Sequence, residues 1–114
     1  MTTFSEWKRL EMVRAFVPQI VKIDLEKIST WREYISAVYY ADRSKIHARV
    51  DKLLEKLFEE DEYIALMAIM WTMDYASITH EIAINHGFGS FMSRLSRCGD
   101  EARHIVAGAL LQRN

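Results

Sequence analysis

The sequence predicts an all-α fold, a compact bundle of five to seven helices in a single domain that covers residues 1–114. Half of the chain is apolar, which is enough to bury a core in one domain of this length. Four glycines and one proline are the only strong helix breakers, and apolar side chains recur between them at helical spacing. Thr3 with Glu6 and Thr30 with Glu33 have the capping-box spacing that marks a helix start.

The N-terminal third is predicted to hold three helices. The first runs from Phe4 to about Phe16, and Pro18 ends it because the residue before a proline disfavours helical backbone. Residues 20–28 fit either a strand or a helix, and we assign a helix because nothing nearby supplies a partner strand. The capping box at Thr30 starts the third helix. Its predicted inner face comprises Trp31, Ile35, Val38 and Tyr39.

The middle of the chain predicts a basic amphipathic helix followed by a long apolar one. Asp42 is the expected N-cap of the first of these. Its apolar stripe comprises Ile46, Val50, Leu53, Leu54 and Leu57. Acidic residues 59–62 place negative charge where the dipole of the next helix favours it. That next helix, about residues 62–86, is the predicted centre of the bundle.

The C-terminal segment is predicted to contain two further helices. Gly87 and Gly89 supply the left-handed stop of the central helix, and Ser90 then caps a short helix that ends at Arg97. The last helix follows Gly99 and Asp100. It covers Glu101 to about Leu111.

The segment YIALMAIMWTM at residues 63–73 is apolar on every side, with Thr72 as its only polar side chain. On one continuous helix, three apolar residues would lie on the same side as the polar, water-facing residues that follow them along the helix. These are Tyr63, Met67 and Met70. Two interpretations remain open and compatible: other helices of the chain bury this sector, or a partner or a second copy covers it, since methionines adapt to irregular surfaces. The predicted partner contacts are these three residues together with Tyr40.

The composition and the motifs of the sequence indicate no disulfide, no membrane segment and no metal or catalytic site. The net charge of −1 neither attracts nor mimics a polyanion, and a single cysteine, Cys98, excludes an internal disulfide and indicates a reducing compartment. No stretch has the apolar run of a signal peptide or of a membrane span, so we expect a cytoplasmic protein with no membrane contact. Glu101 with His104 lacks the second such pair that a di-iron bundle requires. We predict no metal, no cofactor and no catalytic residue.

Arg97 and His104 have an arginine-six-residue-histidine spacing that resembles the active-site motif of HEPN-type ribonucleases. The resemblance implies that the pair would bind and cleave an RNA backbone from a helical dimer. Gly99 and Asp100 lie between the two residues, where they are predicted to interrupt the helix.

The second half of residues 35–58, ISAVYYADRSKIHARVDKLLEKLF, is similar to the helix-turn-helix of MarR-like winged-helix regulators. The similar positions are Arg43, Ser44, Ile46, Val50, Asp51, Lys52, Leu53, Glu55 and Lys56. The resemblance implies a recognition helix that contacts phosphates and base edges in the DNA major groove. Its contact residues would be Arg43, Lys45, His47 and Arg49. Ser36 and Tyr40 replace the alanine and glycine of the family, and the expected winged hairpin is replaced by acidic residues and a helix.

The function predicted from the sequence is that of a small non-enzymatic protein-protein interaction module. It would act as a regulator, inhibitor or adaptor by occupying the surface of another protein, either as a monomer or as a homodimer. Its size and charge balance suit bacterial or phage inhibitors and immunity proteins, by analogy alone. A helix-turn-helix regulator is the alternative hypothesis, and a HEPN-like ribonuclease is the third.

Overall fold

The computed structural model describes residues 3–85 and 97–111 and confirms the all-α prediction. Within these ranges the chain forms helices and one 3-10 turn, without a β-strand. The helices are α1 (Phe4–Lys8), α2 (Glu11–Ile20), α3 (Trp31–Tyr40), α4 (Ile46–Leu54), α5 (Glu60–Thr72), α6 (Ala76–Asn85) and α7 (Asp100–Leu111). None of the described helices has both the length and the apolar character needed to cross a membrane. The stop predicted at Gly87 and Gly89 and the short helix predicted from Ser90 lie outside the described residues.

Helix α5 lies at the centre of the bundle and packs against α2, α6 and α7. Its N-terminus has the predicted acidic character, with Glu60, Asp61 and Glu62 in the first turn, and the Glu62 side chain accepts from the Glu59 amide at 2.9 Å. Every residue from Ile64 to Met70 is buried. A helix that is apolar on all sides is stable in water only when other helices surround it, and here the chain itself supplies them.

The prediction of one continuous helix over residues 62–86 is wrong, because the chain bends between α5 and α6. Asp74 has a φ of 64°, in the left-handed region, and the Tyr75 amide donates to the Met70 carbonyl at 3.0 Å. The bend turns α6 back against α5, where the Thr79 hydroxyl donates to the Met67 carbonyl at 2.9 Å. No glycine or proline marks the bend, and packing of α6 on α5 stabilises it.

The predicted first helix is also two helices. The Thr3 hydroxyl accepts from the Glu6 amide as predicted, but α1 ends after one turn and α2 begins at Glu11. Pro18 does not end the helix, since α2 continues past it to Ile20 with Pro18 at an exposed position in the last turn. The break between α1 and α2 instead lets Trp7 point into the core.

Residues 20–28 form neither a full helix nor a strand, so the helix predicted there is wrong. The segment is extended around one 3-10 turn at Leu25–Lys27. The Lys8 ammonium donates to the carbonyls of Leu25 at 3.1 Å and Ile28 at 2.7 Å. These contacts satisfy backbone acceptors that a helix would have paired internally, and they depend on the distant α1.

Helix α3 begins as predicted, with the Thr30 hydroxyl accepting from the Glu33 amide at 3.2 Å. Its inner face differs from the prediction, since Tyr34 is buried while Ile35 and Tyr39 are exposed. A cluster of four aromatic rings explains the rotation of this helix. Phe4 and Trp7 of α1 contact Trp31 and Tyr34 of α3, with ring centroids between 4.7 and 5.5 Å apart.

Asp42 is not the N-cap of α4. Its carboxylate accepts from both the amide and the hydroxyl of Ser44, at 3.0 and 2.7 Å, and so shapes the turn between α3 and α4. The side-chain bond and then the backbone bond from Ser44 lower the pKa of Asp42, with smaller contributions from Arg49 and Lys45. Helix α4 begins at Ile46, and its predicted apolar stripe is buried apart from the half-buried Leu54.

Helix α7 begins within one residue of its predicted start and packs on α1 and α5. The Gly99 amide donates to the Asp61 carboxylate at 2.9 Å, which ties the start of α7 to α5. Gly108 lies directly against the Trp7 ring, where a Cβ would clash, and the Trp7 indole donates to the Ile105 carbonyl at 2.9 Å. Helix α7 therefore closes the core over the aromatic cluster.

Candidate functional site

Two of the predicted partner contacts belong to the core. Met67 and Met70 have no solvent-exposed surface, so the chain's own helices bury them, as the first of the two open interpretations predicts, and neither offers a contact to a partner in this fold. Tyr63 is half-buried, and its hydroxyl donates to the Leu57 carbonyl at 3.1 Å. Met67 and Met70 are buried because the chain bends after α5, which brings α6 over the side of α5 that a straight helix would have left open. Of the four predicted contacts, Tyr40 alone is largely exposed.

Tyr40 belongs to a continuous apolar surface on the outer side of α3. Its side chain is 82% exposed, that of Tyr39 is 64% exposed, and that of Ile35, one turn earlier, is 44% exposed. The rings of Tyr39 and Tyr40 meet edge to face with centroids 5.1 Å apart. We call Ile35, Tyr39 and Tyr40 the α3 surface. Other strongly exposed apolar side chains lie elsewhere, for example Phe58 in the connection between α4 and α5 and Ile84 in α6.

A cleft of about 110 Å³ adjoins the α3 surface where α3 meets the bend between α5 and α6. The residues that line it are Ile35, Val38, Tyr39, Arg43, Thr72, Met73 and Asp74. A hydrogen bond beside the cleft joins the two elements that form it. The buried Tyr34 hydroxyl of α3 bonds the Thr72 hydroxyl at the end of α5 at 2.8 Å.

A neighbouring hydrogen bond determines which of the two hydroxyls is the donor. The Thr72 hydroxyl donates to the Ile69 carbonyl at 2.6 Å, so its single proton is used and Tyr34 must donate to it. Burial raises the pKa of Tyr34, which keeps this proton in place. This hydrogen bond joins α3 to the end of α5 beside the cleft.

Among the described residues that line this cleft, Arg43 is the one cation. Its guanidinium carbon lies 5.6 Å from the ring centroid of Tyr39 and 5.9 Å from that of Tyr75, within the range of cation-π attraction. The side chain is half-buried, and no carboxylate of the described residues forms an ion pair with it. Asp74 lines the same cleft and is exposed to water.

The other predicted DNA contacts do not share one orientation. Lys45 and His47 are exposed, and the His47 ring meets the Tyr75 ring at 6.1 Å. Arg49 is half-buried and donates to the Ile20 carbonyl at 3.3 Å. Where the winged hairpin of the resembled regulators is expected, the chain continues into helix α5.

The ribonuclease pair and the metal candidates remain separate from this surface. Arg97 precedes α7 and His104 lies within it, so the two do not share one helix, and both are exposed. Across residues 3–85 and 97–111, no three side chains of the histidine, cysteine, aspartate or glutamate type come together to hold a metal ion.

Sequence reasoning missed Ile35 and Tyr39 as surface residues, because both were assigned to the inner face of α3. The available signal was Tyr34, whose inclusion on the inner face turns Ile35 and Tyr39 outward. It also missed the cleft, which requires the bend at Asp74. Arg43 was singled out, but for DNA contacts.

Comparisons with protein-family models, with curated proteins and with solved structures found no match to this chain. The helix-turn-helix and ribonuclease resemblances therefore rest only on their short residue patterns. The α3 surface and its cleft are characterised by their own exposure, contacts and charge.

Proposed function

We propose that this protein is a non-enzymatic interaction module that binds another protein through the α3 surface, acting in the cytoplasm as a regulator, inhibitor or adaptor. The observation that carries the proposal is the adjacent pair Tyr39 and Tyr40, both largely exposed and in ring contact with each other. Tyrosine is enriched in protein interfaces because its large rigid ring buries much area at low entropic cost.

The support of this surface is suited to binding. Tyr34, which precedes the exposed tyrosine pair in α3, is fully buried and hydrogen-bonded to Thr72, so the exposed rings project from an anchored helix. A partner that packs on them does not have to order the helix first, and preorganisation of this kind lowers the entropic cost of binding. The adjoining cleft offers a recess for a partner side chain.

DNA binding is a weaker candidate on the same elements. A phosphate backbone requires several cations directed to one side, and the salt dependence of such binding reflects their number. Arg49 is half-buried and donates to the Ile20 carbonyl, and the half-buried Arg43 lines the cleft beside the α3 surface, which leaves Lys45 and His47 as the exposed members of the predicted set.

The test is copurification followed by measurement with the purified partner. The wild-type chain and the double variant Tyr39→Ser with Tyr40→Ser serve as baits in a lysate of the organism that encodes the protein, and a retained protein is identified and purified. Isothermal titration calorimetry then gives its Kd. Loss of two central tyrosines is expected to weaken binding by about 30-fold or more.

Phe58→Ser is the matched control, because Phe58 is 88% exposed and lies outside the α3 surface. It is expected to bind the purified partner as the wild type does. Equal affinity of the wild type and the tyrosine double variant would contradict the proposal. A homodimer that the double variant dissociates would overturn the assignment to a different protein in favour of a second copy.

A further inference from the structure

The cleft beside the α3 surface contains a cation, Arg43, that forms no ion pair with a carboxylate of residues 3–85 and 97–111. Arg43 is half-buried, and two aromatic rings, those of Tyr39 and Tyr75, flank its guanidinium. The nearest aspartate in sequence, Asp42, directs its carboxylate to the amide and hydroxyl of Ser44. The planar guanidinium fork has five donors, so it retains capacity to bind a planar anion from outside.

We propose that this cleft receives an acidic side chain of the partner protein, whose carboxylate pairs with the Arg43 guanidinium while neighbouring apolar groups pack on Ile35 and Tyr39. The inference rests on the proposed function and adds the chemistry of the partner. Charge complementarity carries it, because a planar guanidinium can donate two parallel hydrogen bonds to one carboxylate, and such charge-assisted bonds are stronger than neutral ones.

The rest of the lining favours a single carboxylate over a chain of phosphates. Asp74 lies in the same cleft and Asp42 at the adjacent turn, and both would repel a polyanion laid across this surface. The apolar lining residues Ile35, Val38 and Met73 suit the methylene groups of an aspartate or glutamate side chain. An acidic residue flanked by apolar residues therefore matches the cleft.

Removal of the Asp74 charge should change the affinity of the cleft in a defined direction. Its exposed carboxylate competes electrostatically with an incoming carboxylate, so its neutralisation should strengthen binding. Asn adopts left-handed backbone about as well as Asp, so Asp74→Asn removes the charge and retains the bend. A ligand that bound the cleft through a cation would respond in the opposite direction.

The experiment selects short random peptides on phage against the full-length chain and measures the affinities of synthetic copies by fluorescence polarisation. The expected peptides carry aspartate or glutamate beside apolar residues. Arg43→Gln should weaken them by about ten-fold or more, and Asp74→Asn should strengthen them by about two- to five-fold. Arg32→Gln is the matched control, because it removes the same charge from the exposed first turn of α3, and it should leave affinity unchanged.

Each contrary outcome has a distinct meaning. Peptides that require Tyr39 and Tyr40 but bind Arg43→Gln equally well would overturn the acidic ligand and leave the proposed function standing. Selection of no peptide that depends on Arg43 would also overturn it, while the purified partner would still test the proposed function separately. Binding of inorganic phosphate or duplex DNA that Arg43→Gln abolishes, without binding of acidic peptides, would replace the carboxylate by a phosphate.

Discussion

The middle of α5 and the outer side of α3 show opposite relations between apolar sequence and exposure. Residues 64–70 of helix α5 are apolar on every side and are buried by the chain's own helices. Helix α3 looks ordinary in sequence, yet Tyr39 and Tyr40 remain open to water. An excess of apolar residues thus marks the core of this protein. The binding candidate is a place where two adjacent aromatic side chains remain uncovered by the core.

The largest expected loss of stability follows when charges are introduced into the buried middle of α5. The double variant Met67→Glu with Met70→Glu places two charges in a sealed core, each adding several kcal/mol to the roughly 2–5 kcal/mol lost when a buried methionine is truncated. The sum approaches or exceeds the ~5–15 kcal/mol stability of a domain. Far-UV circular dichroism should therefore show an unfolded chain.

The matched control makes the same substitutions by glutamate on the exposed side of α3. The double variant Tyr39→Glu with Tyr40→Glu should keep the helical signal and lower the stability by no more than about 0.5 kcal/mol per site, as exposed positions usually do. Equal unfolding of both double variants would remove the distinction between the two regions. A folded Met67 and Met70 variant would reopen the interface interpretation of α5.

The next effect concerns the bond that joins the two regions. Thr72→Val leaves the buried Tyr34 hydroxyl as a donor without an acceptor, which should cost roughly 1–3 kcal/mol. Tyr34→Phe should cost only about 1 kcal/mol, because Thr72 still donates to the Ile69 carbonyl. Urea unfolding measures both. The double variant should lose less than the two single losses added together.

That order depends on Tyr34 being the donor. Equal costs for the two single variants, or strict additivity in the double variant, would mean that the hydroxyl pair does not couple α3 to α5. Thr79→Val offers a comparison on the other side of α5, where a hydroxyl donates to the Met67 carbonyl without a second side chain.

The smallest effect tests the bend that separates α5 from α6. In the left-handed conformation of Asp74, alanine should be less stable than glycine by about 1 kcal/mol, and asparagine should match the wild type. On one continuous helix the order would reverse, since alanine exceeds glycine by about 1 kcal/mol in a helix interior. Thermal unfolding of the three variants therefore distinguishes the two backbones by sign.

Local signals in the sequence were sufficient for the fold class and for several element boundaries. The capping boxes at Thr3 and Thr30 started α1 and α3 as predicted, because a cap is a contact between residues three apart. The acidic start of α5 and the stripe of α4 are local for the same reason. Errors arose at Pro18 and in residues 20–28, where a distant Lys8 satisfies the backbone.

The all-helical character of the chain and the apolar content of each segment could thus be read from the amino acids, since both depend on neighbours along the chain. Which apolar residues are covered depends instead on contacts between distant segments. The bend at Asp74 has no glycine or proline to announce it, and it exists because α6 packs back on α5. That packing buries Met67 and Met70, while the ring contacts of Tyr34 turn Tyr39 outward beside Arg43.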